Sequence, residues 1–496
     1  MHPVLLLMIG CAGKDDTGAP EVTGPPDPAI LSIDIEDNPT LVLEKVLAVE
    51  LDQDGAVAAA CAPDADPADV HLVESAAGTS HRLPINGLLP SSAYTCDVGI
   101  LGLQSPAPTS VTFTTPALPA SLPAVSATTT PGQQPSGGYT LFNHQRMCAD
   151  EKSIRLGAAD HDGRIRWYYE LPAEGFVDTG LDYAGDGLIM WGGMSASDRG
   201  AGAPTLLTAS HEVVYKASYP GAGNTYFHHD VTLEDDGTLI ALTDVEASVD
   251  GRGLVGFEVH HIDPQSDSLL WSWSVQQALD AGQLEAQGVE DFGANWAGYL
   301  HDGQQEVMAI SLCDSNQIIG VDPASGNIRW TFGQYADLTL ADADPGGQAR
   351  WSYCQHGLDV DGSNLLVYDN GWEADESRAV EFAFDLGSQT VTQTWSWTEA
   401  NWWSFIWGDV DYLADERILI TKAQASCFSP YPNEVTEVVE LDRATDQVVW
   451  RLSMGDPIDG GFSAVRVDGC ELFDRVVVCD TLAARLDELA PDLGRG

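Results

Sequence analysis

Two histidines carry most of the chemistry this chain could do. His356 stands in Tyr353-Cys354-Gln355-His356-Gly357-Leu358, directly before an apolar strand pair that ends Val367-Tyr368-Asp369-Asn370-Gly371. His229 stands in His228-His229-Asp230, before another such pair. A neutral imidazole is a nucleophile and a proton carrier near neutral pH. The positions that precede comparable strand pairs are Thr179-Gly180, Asn295-Trp296, Gly408-Asp409 and Phe462-Ser463. If these strands surround one axis, the residues before them face each other. His356 and His229 are then the catalytic candidates, and His228, Asn295, Trp296, Gln355 and Asp409 are candidates for binding. Trp351, Trp372, Trp402, Trp403 and Trp407 could complete an aromatic wall. Such a cavity suits a flat aromatic ligand with a polar group.

The elements that would hold these residues recur. From residue 138 onward two signals alternate. One is a turn cluster followed by a β-branched residue and an aromatic, as in "DHDGRIRWYY" at 160–169 and "DPASGNIRWTF" at 322–332. Its aromatic anchors are Trp167, Tyr215, Trp271, Trp330, Trp395 and Trp450, at intervals of roughly 50–65 residues. The other is an apolar strand pair around a polar turn, at 181–191, 231–242, 299–310, 358–368, 410–420 and 465–478. One small antiparallel sheet cannot bury both faces alone, and radial stacking solves that while leaving no long open edge. The expected fold is therefore all-β, a six-bladed β-propeller over 138–490. The only helical insert expected lies at 276–286.

Residues 1–28 read as a lipoprotein signal and tether. Cys11 follows the short apolar run Leu5-Leu6-Leu7-Met8-Ile9-Gly10 and is the expected lipidation site, although no basic residue precedes the run. Residues 29–116 show short strands between turn clusters. The ending "LLPSSAYTCDV…SVTFTTPA" resembles a fibronectin type III or immunoglobulin-like sandwich, in which Tyr94 would be buried with its hydroxyl hydrogen-bonded. Residues 117–137, rich in Pro, Ser and Thr, read as a linker.

Charge narrows the partners. The chain has 22 basic and 75 acidic residues, a net charge of −53. Such a surface repels nucleic acid and anionic lipid. Membrane contact is expected only through the lipid anchor, which places the protein in the cell envelope, periplasmic or at the cell surface. Eight cysteines remain beside Cys11, an even number that suits disulfides in an oxidising compartment. Cys61 with Cys96 and Cys470 with Cys479 are the favoured pairs. Cys313 and Cys354 could be redox-active, but a disulfide between adjacent blades is the plainer reading. The Asp-rich turns at 160–163 and 342–344 read as turns rather than calcium loops. His260-His261 read as an outer-strand pair. No nucleotide fingerprint, phosphate loop or serine elbow appears, so neither cofactor nor metal is expected.

Taken together, "HHDVTLEDDGTLIAL", "DFGANWAGYL", "QHGLDVDGSNLLVYDNG", "SRAVEF" and "GDVDYLADERILI" resemble successive motifs of the bacterial aryl-sulfate sulfotransferase family. The resemblance covers roughly residues 30–480 and implies a sandwich followed by a six-bladed propeller. It implies that a channel histidine takes sulfate from an aryl sulfate and passes it to a phenol without a nucleotide donor. It makes His356 the implied nucleophile and His229 an implied binding or acid–base residue. The chain departs from the pattern twice. Asp291-Phe292-Gly293-Ala294-Asn295 stands where the family has Asp-Trp-x-His-x-Asn, and Ser311-Leu312-Cys313 where it has Ser-Ser-Arg. One channel histidine and the sulfate-clamping arginine are thus replaced. Arg378, in "SRAVEF", is expected in a structural position. The alternatives are a non-catalytic, lipid-tethered propeller that binds an aromatic ligand or a protein, and a quinoprotein-like or scaffold propeller.

Overall fold

The computed structural model describes residues 27–468, 472–473 and 484–485, apart from 104–106, 147, 149–153, 172–175, 186, 196–201, 220, 223–225, 235, 287, 335, 343–348, 425–426, 428–429, 432–433 and 457–459. The fold is all-β, and among the described residues its helix is the single turn-and-a-half Val275–Asp280, overlapping the first half of the expected insert.

The N-terminal strands Ile30–Asp37, Lys45–Pro63, His71–Ile85, Ala93–Ile100 and Thr109–Thr114 form one antiparallel five-stranded sheet. Cys61 and Cys96 face each other in register and form the expected disulfide. Tyr94 is fully buried, and its hydroxyl accepts the Leu89 N–H at 2.7 Å. This sheet is fastened to the following one by a buried ion cluster. Arg166 donates to Asp69 and to Asp160, each at 2.8 Å, and to the Gly87 carbonyl.

Beyond it the chain runs through antiparallel meanders, each four strands long. They are Phe176–Lys216, Tyr226–Ser274, Ala294–Gly333, Gln355–Trp397 and Asp409–Met454 in overall extent. The first two join through a parallel contact between Thr179 and His229. A further sheet is closed by the two ends of the region, since Ala464–Val467 pairs with Tyr139–Gln145. The second strand of the pair read at 465–478 lies outside the described residues. Ala464–Val467 takes its partner from the start of the region, which covers an edge that would otherwise stand open. The stretch read as a linker contributes Val125–Thr129, paired with Gln447–Met454.

The aromatic anchors tie sheet to sheet in chain order. Trp167 Nε1 donates to the Ala209 carbonyl, the Tyr215 hydroxyl to Asp267 and Trp273 Nε1 to the Gly326 carbonyl. Trp330 packs on Phe384 at 4.9 Å, Trp395 Nε1 donates to Asp446, and Trp450 Nε1 returns to the His161 carbonyl in the first sheet. Trp273 replaces the expected Trp271. The two share a strand face, and the more deeply buried one makes the contact. The turn at Asp160 is held by Arg164 and Arg166, as a plain turn should be. Asp342-Ala343-Asp344, Cys11, Cys470 and Cys479 lie wholly or in their side chains outside the described residues.

Candidate functional site

The first strand of each meander neighbours the first strand of the next, and Phe176–Tyr183 also neighbours Ala464–Val467, so these strands surround a common axis. At one level along that axis the pairing is irregular in four of them. Register shifts fall between Val177 and Thr179, His228 and Val231, Ala294 and Trp296, and His356 and Leu358. A bulge re-aims side chains that a regular strand would send into the seams between sheets. His229 and Cys354 have positive φ, 56° and 49°. Non-glycine residues held so cost about 1–3 kcal/mol each and collect at functional sites.

The bulges bring His229 and His356 together. Their ring centroids lie 6.0 Å apart, and each lies near Phe462, at 6.1 and 6.2 Å. His356 is 4 % exposed. Its Nδ1 lies 2.8 Å from Asn370 Oδ1, while Asn370 Nδ2 donates to the Ser404 and Trp407 carbonyls. Those two bonds fix which end of the amide is oxygen. His356 Nδ1 must therefore carry the proton, which leaves the Nε2 lone pair available for attack. Burial lowers the His356 pKa to about 4, against the opposing pull of the Asn370 bond, so this imidazole is neutral. Burial also lowers that of His229 far below its ordinary value, helped by His228 and His356.

The other expected site residues divide. His228 turns outward. Its Nδ1 meets His229 Nδ1 at 2.7 Å, and its Nε2 lies 3.2 Å from Asp244 Oδ1. Gln355 does not face the axis. It is buried, donates to the Gln317 and Leu312 carbonyls and accepts from Ser352, so it staples the seam between two sheets. Asn295 donates to the Gln355 carbonyl at 2.6 Å and so braces the backbone beside His356. Trp296 and Asp409 line a cavity of about 290 Å³, together with Asp182, Asp230, Asp359 and Asp411. Burial raises all five carboxyls, Asp182 and Asp359 to about 6, Asp230 to about 8, and Asp409 and Asp411 well above their ordinary value. A carboxyl kept protonated donates a hydrogen bond and does not repel an anion.

The aromatic wall is only partly as expected. Trp407 joins Phe462, Ala423, Ile406 and Cys148 in a cluster beside the histidines. Trp402 packs instead on Tyr368, Trp351 on Phe332, and Trp372 stacks on Phe405. His260 is a seam residue held by Thr243 and Tyr219. Arg378 is structural, bound to Asp369, Gln393 and the Arg350 carbonyl. Cys313, at the family's arginine position, forms a disulfide with Cys354, two residues before His356. Cys148 and Cys427 form another. Sequence reasoning missed Asn370, although it stands in the quoted "DNG". It also missed Asp244, for which no motif gave a signal.

The profile of the arylsulfotransferase (ASST) family matches residues 129–460. The chain belongs to that family. The match covers the strands that carry His229, His356 and Asp409, and Asn370 as well. Among curated proteins, none matches. Solved structures similar to this ASST family member include a nidogen/laminin complex (12% identity, 66% of this chain and 97% of that one, TM-score 0.36). Others are an auxiliary nutrient binding protein from Bacteroides ovatus (10%, 87% and 89%, 0.33) and the β-propeller domain of Cps50 (Swd1) from Myceliophteria thermophila (11%, 66% and 89%, 0.33). At such TM-scores these likenesses carry no argument. The disulfides, with the family, fit a secreted or periplasmic protein.

Proposed function

We propose that this ASST family member is a six-bladed β-propeller with an N-terminal immunoglobulin-like sandwich, and that it transfers sulfate from an aryl sulfate to a phenol through His356. One observation carries the reading: Asn370 holds His356 Nδ1 and so leaves Nε2 unprotonated, on a ring that lies 6.0 Å from that of His229. The circle of aromatic anchors that returns from Trp450 to His161 supports the blade count. In the donor half-reaction the Nε2 lone pair forms an N–S bond while the S–O bond to the aryl group breaks. The electron pair leaves on the phenolate oxygen, which takes a proton from His229. The acceptor half-reaction reverses these steps with a second phenol. Neutral carboxylic acids along the axis, Asp230 and Asp409 among them, hold the anionic ester without the family's arginine. A lipid anchor at Cys11 would keep the enzyme in the cell envelope.

The test is transfer from 4-nitrophenyl sulfate to phenol, with mass-spectrometric trapping of sulfate on His356. His356→Ala should abolish both. A second reading, an aromatic-ligand binder without turnover, is favoured by Cys313 in the arginine's place. Ligand recovered unchanged, with no transfer from any aryl sulfate, would establish it and remove the first.

A further inference from the structure

The sulfate-transfer reading, on which this inference rests, asks one buried group to act as acid and then as base. His229 must give a proton to the leaving phenolate and take one from the acceptor phenol. As a cation it would be a charge sealed away from water, and burial opposes that form. The structure supplies a way out. His229 Nδ1 lies 2.7 Å from His228 Nδ1. His228 Nε2 lies 3.2 Å from Asp244 Oδ1, close but not aligned as a finished hydrogen bond, as resting catalytic contacts often are. The His228 side chain is 3% exposed and that of Asp244 is 38% exposed. The chain of groups therefore runs from the axis to solvent.

We propose that His228 and Asp244 form a proton relay that lets His229 exchange tautomers without becoming a buried cation. Two nitrogens 2.7 Å apart share one proton, so each ring dictates the tautomer of the other. With Asp244 ionised, His228 carries its proton on Nε2 and His229 on Nδ1, and His229 Nε2 is a base. When that base takes the acceptor phenol's proton, the Nδ1 proton of His229 passes to His228 Nδ1. The Nε2 proton of His228 then passes to Asp244. The result is a neutral Asp244 carboxyl, His228 protonated on Nδ1 and His229 protonated on Nε2. This is the acid form that the donor half-reaction consumes, by the same transfers in reverse. One proton enters in one half-reaction and leaves in the other, so the cycle balances without another co-reactant. Asp244 stores the proton between them. The positive φ of His229 and the bulge around it are what turn two successive ring nitrogens toward each other.

His228 and Asp244 are thus positioning and relay residues, since neither reaches the reacting sulfur. Two measurements test them. The first needs no turnover: nitrogen NMR of histidine-labelled protein should show one proton between the two Nδ1 atoms, the rings exchanging between His228 Nε2–H with His229 Nδ1–H and His228 Nδ1–H with His229 Nε2–H. Asp244→Asn should shift that balance at both rings. Both rings resting as the same tautomer, or spectra unmoved by Asp244→Asn, overturns the relay whether or not the protein is an enzyme. The second uses leaving groups. Loss of proton delivery should slow phenyl sulfate about tenfold more than 4-nitrophenyl sulfate, whose phenolate leaves readily without a proton. Asp244→Glu should restore most of the difference. Equal slowing of both donors means a structural role and overturns the proposal. Absence of transfer by the wild type removes the enzymatic reading instead, and the NMR result then decides the relay alone.

Discussion

His356 lies on the strand Gln355–Asp361 and Asn370 directly follows its partner strand Asn364–Asp369, and the 2.8 Å contact between them sets the orientation of the ring that lies beside His229. The Asn370 amide makes this contact only because both its N–H groups are taken by the carbonyls of Ser404 and Trp407. The loop 401–407 therefore governs the histidine through one amide.

Asn370→Ala should lower kcat by about tenfold to a hundredfold while KM changes little, because it frees the imidazole to adopt the other tautomer. It should also cost about 1–3 kcal/mol per buried carbonyl left without a donor. Steady-state kinetics beside thermal unfolding separate the two effects. A variant that loses stability but keeps kcat would show that His356 is oriented by packing alone.

Gly357 is the residue added by the bulge after His356. A Cβ there would lie 2.1 Å from Asp409 Oδ1 and 2.5 Å from Asp409 Cα. Backbone on the far side cannot yield as a flexible side chain can. Gly357→Ala should cost about 1–3 kcal/mol or more, and should displace His356. Gly180 stands in the same relation to Asp230, with 2.6 Å to its Oδ1. Denaturant unfolding of both variants checks the prediction. Equal stability to wild type would mean that the inner strands are free to separate.

These close approaches explain what the chain made legible and what it hid. The strand pairs, the anchors Trp167 and Trp450, the Cys61–Cys96 bridge and the convergence of His229 with His356 follow from local patterns repeated at a steady interval. Gln355 was misplaced because the bulge after His356 shifts the side of the strand on which a residue emerges, and a bulge leaves no reliable mark on composition; Trp402 was misplaced because it lies in the connection between two strands. The pairing of Ala464–Val467 was missed for another reason. Its partner Tyr139–Gln145 lies at the opposite end of the region, and local spacing is silent about closure. Asp244 was invisible because an acidic residue mid-strand is ordinary until a histidine is seen beside it.

Acid should destabilise the protein through the same histidine. His356 has a pKa of about 4 when folded and an ordinary 6.5 when exposed. Between those values the unfolded chain binds a proton that the folded chain refuses, so stability falls as pH drops from about 6.5 to about 4. His356→Gln should flatten that part of the profile, seen as a smaller fall in melting temperature over the interval. An unchanged slope would mean that the imidazole meets water in the folded state.

The axial carboxyls act in the opposite direction. Asp230 is pushed up to about 8 by burial first and by Asp182 second, against about 3.8 for a free side chain, and it titrates as one member of a group rather than alone. Folding then holds a proton that the unfolded chain releases, so the stabilisation present at low pH is lost as pH rises toward about 8. Asp230→Asn imitates the protonated form and keeps an oxygen for the Val231 N–H, which Asp230 now accepts at 2.9 Å. The variant should match wild type near the acid end and melt higher toward the alkaline end. Melting curves across pH decide it. A variant that melts lower at alkaline pH would show that the ionised carboxylate has a cationic partner, and the neutral-acid account of how an anionic ester is held in this cavity would have to be abandoned.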